Sequence, residues 1–224
     1  MKVPIVENVL KLNDEIAAIN RQALHDAGVF SINLIGAPGC GKTSLIEATV
    51  RRLKDTVRFG MVVGDLATDR DGQRLTHAAG QVVQINTGKG CHLDANQLRQ
   101  AMTNFDLTTL DVLLVENVGN LICPVGFDLG QDVKLGMFSV SEGDDKAAKH
   151  PYLVHEAAML LLNKIDLLPH VPFDVELFRA DVHRINPQVR LIETSVVSQR
   201  MSIWLDWLMD AIVHADKTRN YPAA

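Results

Sequence analysis

One stretch constrains this chain more than any other: Ser31-Ile32-Asn33-Leu34-Ile35-Gly36-Ala37-Pro38-Gly39-Cys40-Gly41-Lys42-Thr43-Ser44. A short apolar run ends in Gly36, a glycine-rich turn follows, and Lys42-Thr43 opens a helix-like segment. This is G-x-x-x-x-G-K-S/T with a strand before it and a helix after it, the setting the motif requires. Gly36, Gly39 and Gly41 permit the dihedrals that bring backbone N–H groups close to phosphate oxygens. The helix N-terminus behind them adds partial positive charge. Lys42 is placed to reach terminal phosphates, and the Thr43 hydroxyl is a hard oxygen ligand for magnesium. Cys40 and Ser44 count with the phosphate-contacting loop, although the Cys40 thiol sits at a variable position and has no catalytic task. The alternative, a glycine turn without ligand, leaves the agreement of four fixed positions and both flanks unexplained.

The rest of the composition narrows the class. A chain of 224 residues is most simply one domain with a real core. We expect a leading helix over 1–28, a nucleotide-binding domain over 29–216 and a tail over 217–224. A net charge of −5 argues against a nucleic-acid-binding surface. No apolar run is long enough to cross a bilayer and no signal-peptide pattern opens the chain, so the expectation is a cytoplasmic protein without membrane partners. Three cysteines are too few and too odd for a disulfide framework. Reduced thiols are free to bind metal.

Hydrophobic periodicity orders the remaining elements as alternating helices and buried strands, an α/β chain with a mostly parallel sheet. Ile5 to about Ala27 reads as a helix whose apolar stripe is Val9, Leu12, Ile16, Ile19 and Ala23, closed by Gly28. Strands are expected at 57–63, 81–85, 110–115, 137–141, 157–162 and 189–192. Helices are expected at 173–185 and 202–214, with Asp94 capping another. Several strand ends carry chemistry, where open α/β sheets place their ligands. Asp65 is expected to orient water or a magnesium-bound water, with Asp69 as second choice. Glu116, followed by x-x-Gly119, occupies the place of a Walker B or switch II element, with Glu116 on the magnesium shell and the Gly119 N–H on a γ-phosphate. Cys123 lies a few residues further on, so a metal ligand is placed to read the nucleotide state. Cys91-His92 pairs a soft thiolate with an imidazole, but adjacent residues chelate poorly and need ligands from elsewhere.

Asn163-Lys164-Ile165-Asp166 is an N-K-x-D sequence at a strand end. A carboxylate at Asp166 accepts from guanine N1–H and the 2-amino group. Adenine leaves it unpaired, at a cost of several kcal/mol. Lys164 can lie along the base, Asn163 can tie this loop to the phosphate loop, and Ser195 is a further candidate base contact.

Together these blocks closely resemble HypB, the family of GTPases that help insert nickel into NiFe hydrogenase. The resemblance runs over nearly the whole chain: Asn13-Asp14-Glu15-Ile16-Ala17 with Asn20-Arg21, the phosphate loop, Gly64 to Asp69, Cys91-His92-Leu93-Asp94-Ala95, Glu116 to Pro124, Glu142-Gly143-Asp144-Asp145-Lys146 and Asn163 to Asp166. It implies a P-loop domain of the SIMIBI type, GTP and GDP with magnesium (Thr43, Asp65, Asp69, Glu116), and slow GTP hydrolysis involving Lys42, Asp65 and Glu116. It further implies a homodimer with nickel or zinc bound at the interface by Cys91, His92 and Cys123. A HypA-type metallochaperone and the hydrogenase large-subunit precursor are the implied partners. The chain lacks the N-terminal Cys-x-x-Cys-Gly-Cys and His-rich nickel motifs of many members. Fewer donors per chain than a closed zinc site needs, and two-fold symmetry to double them, independently favour a shared site. Rival readings are a metal-binding assembly module with nucleotide as switch only, a urease-type nickel GTPase, and a small-molecule kinase.

Overall fold

The computed structural model describes residues 7–65, 81–88 and 90–219, with side chains from 10 to 215. Its strands are β1 (Phe30–Gly36), β2 (Phe59–Asp65), β3 (Gln81–Asn86), β4 (Val112–Glu116), β5 (Val133–Ser139), β6 (Met159–Asn163) and β7 (Arg190–Glu193). They form one sheet in the order β3-β2-β4-β1-β5-β6-β7, all pairs parallel. Its helices are α1 (Glu7–Asp26), α2 (Lys42–Leu53), α3 (Ala95–Met102), α4 (Lys146–Lys149), α5 (Pro151–Glu156), α6 (Val175–Ile185) and α7 (Ser202–Arg219). This is the expected α/β architecture with helices on both faces.

Alternation along the strands builds the core on two sides. Met61, Val63, Val112 and Leu114 face α2 and α7. Their neighbours Val62, Leu113 and Val115 face the other side, where Leu24 of α1 and Leu98 and Met102 of α3 cover them. Further along that second face, Phe138, Leu160 and Leu162 meet Val154 of α5 and Phe178 of α6. Phe138 and Phe178 pack edge to face with centroids 5.5 Å apart.

β2, β4 and β6 each begin two residues later than expected, and other expected bounds shift for local reasons. β5 starts at Val133, four residues before the apolar run suggested, because Lys134 and Gly136 interrupt the pattern while still pairing with Asn33 and Ile35. Residues 140–142 are a 3-10 turn instead of strand, opened by Ser139, whose hydroxyl accepts from the Ser141 N–H. α7 runs on to Arg219, past the expected end at 214, and it buries Trp204, whose Nε1 donates to Thr49 Oγ1 at 2.9 Å.

The largest departure is α1. Leu12 and Ile19, expected inside, are 58% and 49% exposed, whereas Asn13, Ala17, Asn20 and Leu24 are buried. Around Asn13, Ala17 and Asn20 the helix packs on backbone, which favours small and hydrogen-bonding residues. Asn13 Nδ2 donates to the Asp128 carbonyl (2.8 Å) while its Oδ1 accepts from Ala95 N–H (2.9 Å). Asn20 Nδ2 donates to the carbonyls of Ala95 (2.8 Å) and Leu129 (3.0 Å). Gly130 passes so close that a Cβ there would lie 2.4 Å from the Ala17 carbonyl oxygen. Gly28, with φ +73°, closes the helix as expected.

Candidate functional site

The phosphate loop joins β1, the central strand, to α2, so β4 and β5 flank it. Gly39 and Gly41 have φ of +76° and +105°, the left-handed region glycine allows. Gly36 is required for space: a Cβ would meet Cys40 Sγ and the Met137 carbonyl oxygen at 2.7 Å. Lys42 is buried and its Nζ donates to the carbonyls of Gly36 (3.1 Å) and Ala37 (3.2 Å). The Cys40 thiol points into the core, and burial pushes its pKa up to about 11, in keeping with a residue that serves the loop by its backbone.

Beside the loop opens a cleft of about 400 Å³ lined by Gly39, Lys42, Thr43 and Ser44, the strand ends Asp65 and Glu116, and Gly119. Thr43 Oγ1 donates to Glu116 Oε1 at 2.8 Å. Asp65 and Glu116 are the last residues of β2 and β4. Thr43, Asp65 and Glu116 thus present only oxygen donors on one wall, a set that suits magnesium. Asp69 lies outside the described residues. A hollow of about 630 Å³ at the outer edge of β7 is larger but lies away from this convergence.

On the other flank, Asn163 ends β6 and bridges the two loops: its Nδ2 donates to the Cys40 carbonyl (2.9 Å). Its Oδ1 accepts from Thr194 Oγ1 (3.1 Å). Lys164 takes φ +60°, and its Nζ donates to the Gly39 carbonyl (2.6 Å). Ser195 is buried and donates to Asp166 Oδ1, so its hydroxyl orients the carboxylate. Thr194 was missed in the sequence; a threonine right after a strand carries no signal until the Asn163 amide needs a partner.

The segment after β4 joins this cleft to the cysteines. Gly119 packs on the phosphate loop so tightly that a Cβ would lie 2.9 Å from Pro38 Cα. Asn117 Nδ2 donates to Asn33 Oδ1 (3.1 Å), and Asn117 Oδ1 accepts from the Leu93 N–H (3.0 Å). Asn120 Nδ2 donates to the Cys91 carbonyl (3.2 Å). Sequence reasoning gave none of these three asparagines a role, although Asn33 is conspicuous as an amide inside a buried strand. Cys91 is exposed and Cys123 half-buried. The Cys123 thiol is the neighbour that chiefly pushes the Cys91 pKa up. Cys91 Sγ lies 3.5 Å from His92 Nδ1, and the His92 ring packs on Phe127 with centroids 3.8 Å apart. Burial lowers the His92 pKa, favouring the neutral imidazole that binds metals, against a smaller opposing pull from Asp94. Asp94 caps α3 through a reciprocal capping box with Gln97, as expected for the cap. Among the described residues no group of three or more His, Cys, Asp and Glu side chains is arranged to hold a metal within one chain.

A family model described as CobW/HypB/UreG, nucleotide-binding domain, matches residues 30–193. With the phosphate loop and parallel sheet above, this makes the chain a P-loop nucleotide-binding protein of that family. It belongs, more narrowly, to HypB. It is 43% identical over 205 residues to the hydrogenase maturation factor HypB of Azotobacter vinelandii, covering 91% of this chain and 68% of that one. The Escherichia coli counterpart is 42% identical over 202 residues, covering 90% and 70%. The crystal structure of HypB from Archaeoglobus fulgidus matches at 40% identity and a TM-score of 0.85, over 91% of this chain and 100% of that one. HypB from Helicobacter pylori, in complex with nickel, matches at 29% and 0.86, over 95% and 99%. A signal recognition particle protein from Aeropyrum pernix bound to GDP, 11% identical with a TM-score of 0.56, shares the fold alone.

Proposed function

We propose that this protein is a GTP-hydrolysing metallochaperone that assists nickel insertion into the NiFe hydrogenase large subunit. In this reading, GTP-dependent dimerisation assembles a metal site from Cys91, His92 and Cys123 of two copies. The observation that carries it is the segment from Glu116 to Cys123. Gly119 in its middle packs on the phosphate loop, Asn117 and Asn120 on either side bond Leu93 and Cys91, and it ends on Cys123, whose thiol neighbours Cys91. A change at the γ-phosphate moves both thiols together.

Guanine specificity rests on Asp166, whose carboxylate is oriented by Ser195. Lys42 neutralises phosphate charge, and Asp65 or Glu116 positions the attacking water, which displaces GDP from the γ-phosphoryl group. Thr43, Asp65 and Glu116 are the residues that would hold magnesium, which when bound neutralises charge developing on the phosphates. Two thiols and one imidazole per chain are too few for a closed site, and a two-fold partner doubles them. Such donors suit nickel and zinc alike. A HypA-type protein and the hydrogenase precursor complete the proposed route. No helix among the described residues is long and apolar enough to cross a membrane.

An anaerobic nickel titration tests the reading. Thiolate-to-nickel charge-transfer absorbance and molecular size are followed with and without a non-hydrolysable GTP analogue. A signal near one nickel per dimer, altered by the analogue and absent in Cys123→Ala, supports it. No thiolate signal in either state refutes the metal site. An Asp65→Asn variant that cannot hydrolyse GTP yet still delivers nickel favours the switch-only alternative.

A further inference from the structure

The strand between the phosphate loop and the base loop leads into an acid that the proposed reaction does not use. Glu142 closes the 3-10 turn after β5, and β5 lies between β1 and β6. Both carboxylate oxygens are buried and have no hydrogen-bond partner among the described residues. The charges that face it are Lys146 from the start of α4, Lys164 from the base loop and Lys42 from the phosphate loop; the buried Cys40 thiol also feels its charge, and Asp144 and Asp145 follow it in sequence. Two of these lysines are secured elsewhere, Lys42 on Gly36 and Ala37 carbonyls and Lys164 on the Gly39 carbonyl. An acid that clamped a lysine would be bonded to it. Glu142 is bonded to none, so it acts through its field.

That field reaches the groups that attract phosphate. A lone buried carboxylate is costly to keep and calls for a reason. We propose, on the strength of the nucleotide-binding reading, that Glu142 sets the rate of nucleotide release. Its negative charge behind the phosphate loop offsets part of the pull of Lys42 and Lys164, so that spent nucleotide leaves readily. Burial holds its carboxyl above the usual carboxylate range, and the three lysines only partly oppose this. Arriving phosphates favour the protonated form further, so nucleotide binding and proton uptake are coupled.

Release of a fluorescent GDP analogue, followed by stopped flow between pH 5 and 8, tests the proposal. Glu142→Gln should release nucleotide about tenfold more slowly, the size of one moderately screened charge interaction. Glu142→Asp, which keeps the charge, should stay near wild type. Wild-type release should quicken as pH rises through the titration of Glu142, and this component should vanish in Glu142→Gln. The nucleotide-free Glu142→Gln protein should melt at a higher temperature, since an unpaired buried charge is gone. Unchanged or faster release in Glu142→Gln, or a lower melting temperature, overturns the proposal by showing a structural clamp. A wild-type protein that binds no guanine nucleotide would overturn the underlying functional reading and this proposal with it.

Discussion

Replacing Asn20 with alanine should destabilise the protein far more than replacing Leu12 or Ile19 of the same helix. Asn20 donates two buried hydrogen bonds, to the carbonyls of Ala95 at 2.8 Å and Leu129 at 3.0 Å. Alanine leaves both acceptors without that donor, and each buried unsatisfied group costs about 1–3 kcal/mol. With partial relaxation the loss is about 3 kcal/mol. A chain of this size loses roughly 2–4 °C of melting temperature per kcal/mol, so the expected drop is about 6–12 °C. Leu12→Ala and Ile19→Ala remove side chains that are mostly in water. Each should change stability by no more than about 0.5 kcal/mol. Calorimetry and urea unfolding of the three variants decide the matter. If Leu12→Ala or Ile19→Ala costs more than Asn20→Ala, the argument that α1 is held by amide-to-backbone bonds is wrong.

Gly119→Ala puts a methyl 2.9 Å from Pro38 Cα and 3.0 Å from its backbone nitrogen. The strain of about 1–3 kcal/mol falls on the phosphate loop, so calorimetric GDP affinity should drop roughly 10–100-fold; unchanged affinity would contradict the packing. Asn120→Ala removes the bonds its side chain makes to the Cys91 carbonyl and from the Ile122 N–H, neither of which is in the phosphate loop. GTP hydrolysis should persist while the nucleotide-dependent change in nickel affinity shrinks, and retention of the full change would show that the coupling runs elsewhere. Asp111 is held below the usual carboxylate range by its hydrogen bonds from Arg58. Since its folded pKa is depressed, this stabilisation is present above about pH 4 and is lost as pH falls further. The stability gap between wild type and Asp111→Asn should therefore close on acidification, and a gap that persists at pH 2 would assign the effect to packing.

The architecture was legible because its signals are local. The phosphate loop announces β1 and α2, and apolar runs with acids or amides at their ends mark the strands and their functional tips. α1 defeated the same reasoning. Periodicity counts apolar residues, and it cannot register that Gly130 and the 128–129 carbonyls present bare backbone to the helix. β5 was shortened for a related reason, since Lys134 breaks the apolar pattern although its Nζ reaches the Val125 carbonyl at 2.6 Å. In the site, the residues proposed to meet ligand stood out by type and spacing. Those that hold them in place (Asn33, Asn117, Asn120 and Thr194) did not, because an amide or hydroxyl acquires such a role only from a partner brought near by the fold.

An oxidant would meet this molecule unevenly. The Cys40 thiol is sealed in the core, and with its pKa pushed up to about 11 it is almost wholly protonated at neutral pH. Cys91 is open to solvent, with Cys123 within reach of it. Mild oxidation should convert these two thiols to a disulfide and leave the third reduced, an outcome that mass spectrometry after diamide treatment can verify or reject. Under the proposed function, oxidative stress would then remove the metal donors while sparing the nucleotide loop, so that cargo loading stops before turnover does.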